Sequence, residues 1–527
     1  MHHILKRLRA SRLASDNGLH WVAEDGALIK WRHYPNYCLS IVYIEVPGAP
    51  QKVEVVVGDF EPLGSRLLPG LAWRMGDSVI WLAQAITICQ RNGRSSITAA
   101  SFCQDKLGPI LQRPVQREAD RYEICLFISW APNGLEIYHR FAALSTDAVG
   151  QSNWFKARRA TDIFNDFVAG RLFAAGSSDR YPSEQAALAW FEYLGFLQCD
   201  GENAVCALLR HEIADSVADC YLSAGARAHG LWCVPPEVHT RLHLAGVELL
   251  LTAHSELGGG HWLHAAAAGL GYCLRYLSAP LSGDEIWFLH DSAEAWSQPH
   301  QISSRAFGKG VDVSLTLNTH VQALCVIHDL LQVSEAPELN DVLIGGLGAL
   351  YRVLTASPAG LLYSALERYY LCSTKLTKGG KARPNCFVNA CYWALQSVAP
   401  RICMPSGFIQ RDLTLSCYHW KYHIVNLKDL LLLYSRKENA ELRGAIVSGY
   451  RFIEKLDLDV VLNRHPLFCE ILDIHALFAL LIEKKGIPSV LAIRAIFSEK
   501  GPFLSLYYVA RLERMLLREQ RNCTASR

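Results

Sequence analysis

From Trp154 onward the chain is a succession of amphipathic helical segments joined by short loops, and this pattern limits most of what it can fold into. Thr161–Val168 places Ile163, Phe164, Phe167 and Val168 at helical spacing. Ser183 caps a segment that Gly195 is expected to end. Further segments are predicted near 203–224, 237–256, 260–278, 315–333, 338–356, 359–373, 385–398, 418–436, 438–456, 467–485 and 502–520. Short connections make consecutive helices antiparallel neighbours. A long run of such hairpins buries each apolar stripe on the next, either as an open solenoid or as a closed α/α toroid. No clean repeat of the tetratricopeptide or armadillo kind is visible, and long loops interrupt at 280–314 and 374–384. Irregular loops on one rim favour the toroid.

The first 150 residues have a different period. Tyr37–Val46 and Lys52–Val57 are β-branched runs flanking Pro47-Gly-Ala-Pro50, which predicts a hairpin. Tyr122–Trp130 and Gly134–Phe141 flank Ala131-Pro-Asn-Gly134 and predict a second one. Ser78–Gln90 reads as a short strand or helix. The expected fold is α+β, with an antiparallel β domain over 1–150 and an α/α toroid over 151–527.

Composition narrows the function classes. With 52 basic and 50 acidic residues, the net charge of +2 gives no footprint for nucleic acid. Seventeen scattered cysteines without a CxxC motif fit reduced thiols and a cytoplasmic protein. The N-terminal MHHILKRLRASRLAS has no apolar core of signal-peptide length. No run of eighteen apolar residues predicts a transmembrane helix. Thirteen Trp and twenty-one Tyr serve core packing first and sugar stacking second. Oligomeric state is not legible.

Chemistry-bearing residues concentrate in two places. One is the segment Asp284-Glu-Ile-Trp287-Phe-Leu-His290-Asp291, followed by Arg305 and by Leu317-Asn318-Thr-His320. This segment runs into a helix N-terminus, where free backbone N–H groups favour anions. Asn318, Gln322, Cys325 and Asp329 share one face of that helix, which in a toroid faces the centre. The other place is Tyr418-His419-Trp-Lys-Tyr422-His423, where His and Tyr can exchange protons beside a carboxylate. Each cluster also has a bland reading, as a helix cap or as aromatic core. His211-Glu212 fails the zinc-protease spacing, and no Cys-His pair supports a zinc site. No metal or cofactor is expected. Lys375–Arg383 is a basic, Gly-containing loop, read as a surface segment or a clamp on an anionic polymer.

These residues resemble a family. Leu317-Asn318 with Asp329 eleven positions on (329 − 318 = 11), and Tyr418–Tyr434 with its Tyr-His and His-Ile pairs, are similar to D-glucuronyl C5-epimerases. The order of a β-rich part before a helical one is similar too. Tyr418-His419 stands one residue too far from His423-Ile424, so Tyr418 or Tyr422 is the equivalent, and the family's Trp-x-x-Tyr motif is not evident. The resemblance covers about 150 residues. It implies a toroid and an enzyme that inverts C5 of uronic acids in a polymer through Tyr and acidic side chains. The expectation is an enzyme that acts on a uronic-acid-containing glycan by epimerase or lyase-like proton abstraction. Tyr418, His419, Tyr422, His423 and His320 are the acid/base candidates. Arg305 would clamp the carboxylate, with His290, Asp291, Asn318 and Trp287 as further substrate-binding candidates. Two alternatives stand beside it. One is a glycoside hydrolase drawing a carboxylate pair from Asp284, Glu285, Asp291 and Asp412. The other is a non-catalytic helical scaffold or glycan-binding protein.

Overall fold

The computed structural model divides into two compact units, Met1–Ile213 and Ala214–Arg527. In the first it describes fifteen strands between Lys6 and Arg159, together with residues 184–199 and 204–213. In the second it describes residues 214–227, 237–295, 314–375, 386–413, 420–454, 468–486 and 506–525.

The first unit holds two antiparallel sheets. One runs Lys6–Leu8, Leu19–Ala23, Val53–Val57, Gly108–Gln112, Ser101–Asp105. The other is built on Ala119–Ser129. One edge of that strand takes Leu39–Pro47, and the other takes Ser78–Leu82 and Ile86–Gln90. The hairpin expected between Tyr37–Val46 and Lys52–Val57 does not form. Leu39–Pro47 pairs with Leu28–Tyr34 and Ala119–Ser129, whereas Val53–Val57 pairs with Leu19–Ala23 and Gly108–Gln112. Each run has two neighbours, as suits β-branched residues placed inside a sheet. Ser78–Gln90 is two strands. Gly134–Phe141 and Thr161–Val168 lie outside the described residues. Helix α1, Glu184–Cys199, passes through Gly195 instead of ending there. Arg210, on α2 (Ala204–Ala224), explains why that position is glycine, because a Cβ would meet its Cζ at 3.1 Å.

The second unit is mostly helical. It comprises the end of α2, then α3 (Thr240–Leu257), α4 (Gly260–Tyr276), α5 (Leu317–Leu331), α6 (Glu338–Thr355), α7 (Gly360–Lys375), α8 (Cys386–Val398), α9 (Trp420–Arg436), α10 (Ala440–Glu454), α11 (Phe468–Leu481) and α12 (Leu506–Ala525). These elements lie close to the bounds expected from periodicity. Helices α3, α5 and α9 pack side by side, and α9 continues onto α11 and α12. Each of the first three carries an antiparallel outer partner: α4 on α3, α6 on α5 and α10 on α9. An alternation of inner and outer helices is the layout of an α/α toroid.

One device joins inner to outer three times. The fourth residue of each inner helix is a histidine whose Nε2 faces the carbonyl of a glycine 26 residues later. His243 Nε2 lies 2.8 Å from Gly269 O, and His320 Nε2 lies 2.9 Å from Gly346 O. His423 faces Gly449 (449 − 423 = 26) more loosely, without closing a full hydrogen bond. Each ring stacks on an aromatic side chain: Tyr221 at 4.4 Å, Trp287 at 3.8 Å and Phe408 at 4.9 Å between centroids. The residue after the aromatic donates its backbone N–H to Nδ1 in two cases, Phe288 to His320 and Ile409 to His423. The glycine leaves room for side chains packed closely against the outer helix. A Cβ at Gly269 would lie 2.5 Å from Tyr221 Cδ2, one at Gly346 2.5 Å from Leu324 Cδ2, and one at Gly449 3.0 Å from Ile409 Cδ1. The three histidines are unevenly spaced (320 − 243 = 77, 423 − 320 = 103), which hides the repeat from a fixed-period search.

The inner helices meet through charge. Arg241 on α3 binds Asp429 on α9 at 2.6 Å. Arg436 on α9 holds Asp329 on α5 at 2.8 Å and Glu519 on α12 at 3.1 Å. Arg518 on α12 reaches Asp329 at 2.8 Å and Glu248 on α3 at 3.8 Å, which links the last helix back to the first inner one. Burial works to raise the Asp329 carboxyl, but Arg436, His328 and Arg518 together hold it well below the usual carboxylate range. Burial pushes the carboxyls of Glu248 and Glu470 upward.

Two outcomes test this architecture. Gly346→Ala should lose about 1–3 kcal/mol of stability by overpacking, whereas Gly444→Ala, on an open helix face, should be neutral or gain roughly 0.5–1 kcal/mol. Urea unfolding midpoints separate the two. Arg436→Met, which takes the guanidinium from buried Glu519 and leaves Asp329 to Arg518 alone, should cost about 3–5 kcal/mol, read by the same titration.

Candidate functional site

The N-terminal ends of α3, α5 and α9 are bound together by two loop segments, and polar side chains collect where they meet. The first segment follows the short strand Ile286–Phe288, which pairs with Ser278–Pro280. It lies along the entry to α3: Thr240 N–H donates to His290 O at 3.1 Å, Ser292 N–H to Val238 O at 3.0 Å, and Val238 N–H to Ser292 Oγ at 2.9 Å. The second, 411–413, runs beside the entry to α5, with Leu317 N–H donating to Arg411 O at 2.9 Å and Leu413 N–H to Ser314 O at 3.0 Å. Neither α3 nor α5 has a side-chain cap. The positive ends of these helix dipoles therefore face this region without a local carboxylate cap.

Arg411 is the centre of the cluster. Its Nη2 donates to His290 Nε2 at 2.7 Å, and its Nε lies 3.5 Å from Asp412 Oδ2. Its guanidinium sits 4.7 Å over the Tyr422 ring. Because His290 accepts at Nε2, its proton belongs on Nδ1, which lies 3.4 Å from Thr319 Oγ1. His239 meets the His290 ring edge-on at 4.4 Å. Below them Glu294 accepts His290 N–H at 2.8 Å and the Ser314 hydroxyl, and Ser314 Oγ lies 2.8 Å from Thr316 Oγ1. Burial raises the Glu294 carboxyl, and these hydrogen bonds oppose the shift. Thr240 Oγ1 and Asn318 Oδ1, at the starts of α3 and α5, are buried without a hydrogen-bond partner among the described residues. The groups on hand are one guanidinium, a histidine bound to it, a phenol and a carboxyl that burial raises.

The residues expected from the sequence divide into four sets. His290 and Tyr422 belong to this cluster, while Asn318 stands at the start of α5 with its carbonyl accepting from Arg241 at 2.9 Å. Asp291 lies beside it but is fully buried, and its Oδ1 caps the 3₁₀ turn Ser292–Glu294 by accepting Ala293 N–H at 3.0 Å. It therefore shapes the loop, and the role of positioning substrate hydroxyls does not fit it. His320 and His423 sit in the inner–outer contacts described above, fully buried, as does Trp287, whose face is covered by His320. Burial lowers both histidines to about 3, against the smaller opposing effect of the Gly346 and Gly449 carbonyls. The His320 ring is engaged by backbone on both sides and His423 at Nδ1, so their burial suits packing better than the acid/base role expected of them. Tyr418, His419 and Arg305 lie outside the described residues. Arg411, Glu294 and His239 were not anticipated. Of Gln410-Arg411-Asp412 the sequence reading took up only Asp412, and the available signal for Arg411 was its position between apolar Phe408-Ile409 and the Tyr/His cluster. Among the described residues, no group of three His, Cys, Asp or Glu side chains gathers as a metal site would.

No family model matches the chain, and no curated relative does. Solved structures that resemble it include UGL with dGlcA-Glc-Rha-Glc, at 10% identity over 56% of this chain and 65% of that one, with a TM-score of 0.31. The match thus spans less than two thirds of that structure's own length. Cellobiose 2-epimerase from Bacillus thermoamylovorans B4167 matches at 11% identity over 52% of this chain and 76% of its own, with a TM-score of 0.27. A family 76 glycoside hydrolase from a bovine Bacteroides thetaiotaomicron strain matches at 9% identity over 95% and 99%, with a TM-score of 0.34.

The two buried histidines make a pH prediction. Their folded values, about 3, lie below the ordinary 6.5, so protons prefer the unfolded chain. Their contribution is complete above about pH 6.5 and is lost as pH falls toward about 3. Between roughly pH 7 and pH 5 the unfolding free energy should drop by about 2 kcal/mol per histidine. The His320→Gln, His423→Gln double variant should show a shallower slope in pH-dependent urea unfolding. An unchanged slope would sink the assignment.

Proposed function

We propose that the cluster around Arg411 binds an acidic glycan and that the protein modifies a uronic acid residue within it by proton transfer at C5. The observation that carries this reading is Arg411 itself. It is a nearly buried guanidinium, held by a histidine nitrogen and laid over the Tyr422 ring. A guanidinium is the side chain suited to grip a carboxylate in two-point fashion, and a nearby aromatic face suits the apolar side of a sugar ring. The open Asn318 Oδ1 and Thr240 Oγ1 would accept from sugar hydroxyls.

The chemistry follows from the carboxylate. Removing the C5 proton leaves negative charge spread over the carboxylate, and Arg411 would stabilise that charge as it forms. Tyr422 would take the proton, and Glu294 would serve as the acid. Return of a proton to the opposite face inverts C5. Departure of the C4 oxygen with a proton instead gives a lyase product. Tyr418, His419 and Arg305 remain candidates on the strength of the sequence resemblance. A second reading, a glycan-binding scaffold without turnover, is favoured by one observation: His320 and His423 are committed to packing.

Incubation with polyuronides in heavy water distinguishes the readings. Deuterium should appear at C5, and Tyr422→Phe should slow its appearance by about 10²-fold or more. Arg411→Lys should weaken glycan binding by roughly tenfold to a hundredfold while leaving the fold intact. Binding without exchange across several polyuronides selects the scaffold. Neither binding nor exchange by folded protein rejects the site.

A further inference from the structure

The outward side of α10 holds a groove of about 360 Å³, lined by Ala440, Arg443, Gly444, Val447, Ser448 and Arg451. These positions recur every three or four residues, so all six lie along one side of the helix. The floor is small and partly apolar. A Cβ on Gly444 would meet nothing within 4 Å, and Val447 is half-buried. Arg443 and Arg451 are exposed, and eight residues of helix (451 − 443 = 8) set them about 12 Å apart along the axis. Among the described residues neither guanidinium has a carboxylate partner. The exposed acids of α10, Glu441 and Glu454, do not line the groove.

Helix α6 packs against α10 and carries the opposite charge. Glu338 and Asp341 stand exposed on it, with Glu335 exposed just before its start. Among the described residues none of these three carboxylates is ion-paired. Three residues after Asp341, Ile344 is 67% exposed, on a helix whose inward residues Leu343, Gly346, Leu347 and Leu350 are buried. So exposed an isoleucine adds little burial within its own chain. An unpaired acid beside a protruding branched side chain is the complement of an unpaired cation beside an apolar-floored groove. Such a contact has an apolar centre and a charged rim.

We propose that a second copy of this chain covers this face, with α6 of each protomer laid across the α10 groove of the other. Both halves of the contact belong to one surface, because the two helices pack side by side. A two-fold axis between them brings Ile344 over the partner's Gly444, and Glu338 and Asp341 toward the partner's Arg443 and the partner's Arg451. Symmetry then forms the same contact a second time, as an isologous interface requires. A foreign protein would have to bring both a basic groove and an acid-flanked apolar side chain of its own, whereas here each is the match of the other. The contact does not use Arg411, so it stands or falls apart from the glycan reading.

The test is sedimentation equilibrium of the full chain at low and high salt. The unaltered chain should form a dimer that weakens as salt is raised, because the charges are exposed. One variant carries Glu338→Lys with Asp341→Lys, and another carries Arg443→Glu with Arg451→Glu. Each alone should self-associate more weakly by roughly tenfold or more, since like charges then face each other. Mixed in equal amounts, the two should associate again, because each presents the charge that the other lacks. Ile344→Ser should weaken the dimer and leave its salt dependence in place. All the substituted residues are exposed, so each variant should keep its fold, which circular dichroism checks. A chain that stays monomeric at low salt, or a dimer that either charge-reversed variant keeps on its own, overturns the proposal. So does a mixture of the two that fails to associate.

Discussion

The helical unit depends on how closely an inner helix and its outer partner can approach, and that distance is set where a histidine meets a glycine. Nothing larger than hydrogen fits on the outer helix at Gly269 or Gly346, since a Cβ would come within 2.5 Å of Tyr221 or Leu324. With the backbone that near, the glycine carbonyl is within reach of the histidine ring. The same ring then covers an aromatic side chain from the preceding segment. One imidazole thus joins an inner helix, an outer helix and the segment that precedes them. Each polar atom of the ring that is satisfied by backbone removes a cost that burial would otherwise impose.

Such contacts fix each hairpin but not the order of the hairpins around the centre. That falls to the ion pairs between inner helices. Arg436 binds Asp329 with both Nε and Nη2, a two-point geometry that constrains α9 against α5 in angle as well as distance. Replacing such pairs by apolar side chains is often neutral for stability, so their stronger effect is on which arrangement forms. The apolar faces of these helices would tolerate several rotations, and the charges tolerate few. The raised carboxyls of Glu248 and Glu470 show the other side of this arrangement: burial is not fully offset for every acid in it.

Helix positions were legible because 3.6-residue periodicity and short Gly/Pro loops act locally. Strand partners were not. Leu39–Pro47 and Val53–Val57 are adjacent in sequence, β-branched and flanking a turn signal, yet they belong to different sheets. Local chemistry identifies a strand and leaves its neighbours to long-range pairing. Gly195 shows a similar limit, since glycine ends a helix or admits a neighbouring side chain, and only the position of Arg210 decides. At the candidate site, the segments singled out in the sequence supply His290 and Tyr422. Which histidines are turned to packing was not legible, because a histidine in the first turn of a helix looks the same whether it faces a substrate or a buried carbonyl.

The division between packing and cluster residues follows a rule of position. Thr319 immediately precedes His320 and contacts His290, and Tyr422 immediately precedes His423 and carries Arg411 on its ring. Successive residues on a helix are about 100° apart, so a histidine directed at the outer helix leaves its predecessor on a different face. Here that face is the one where the inner helices meet the loops. The packing histidine and the site residue are thus paired by geometry, and holding one still holds the other. A binding group gains from being fixed before its ligand arrives, because less freedom is lost on binding. The density of His and Tyr at the starts of α5 and α9 reflects both demands at once: one residue of each pair closes the hairpin, and its neighbour faces the cluster around Arg411.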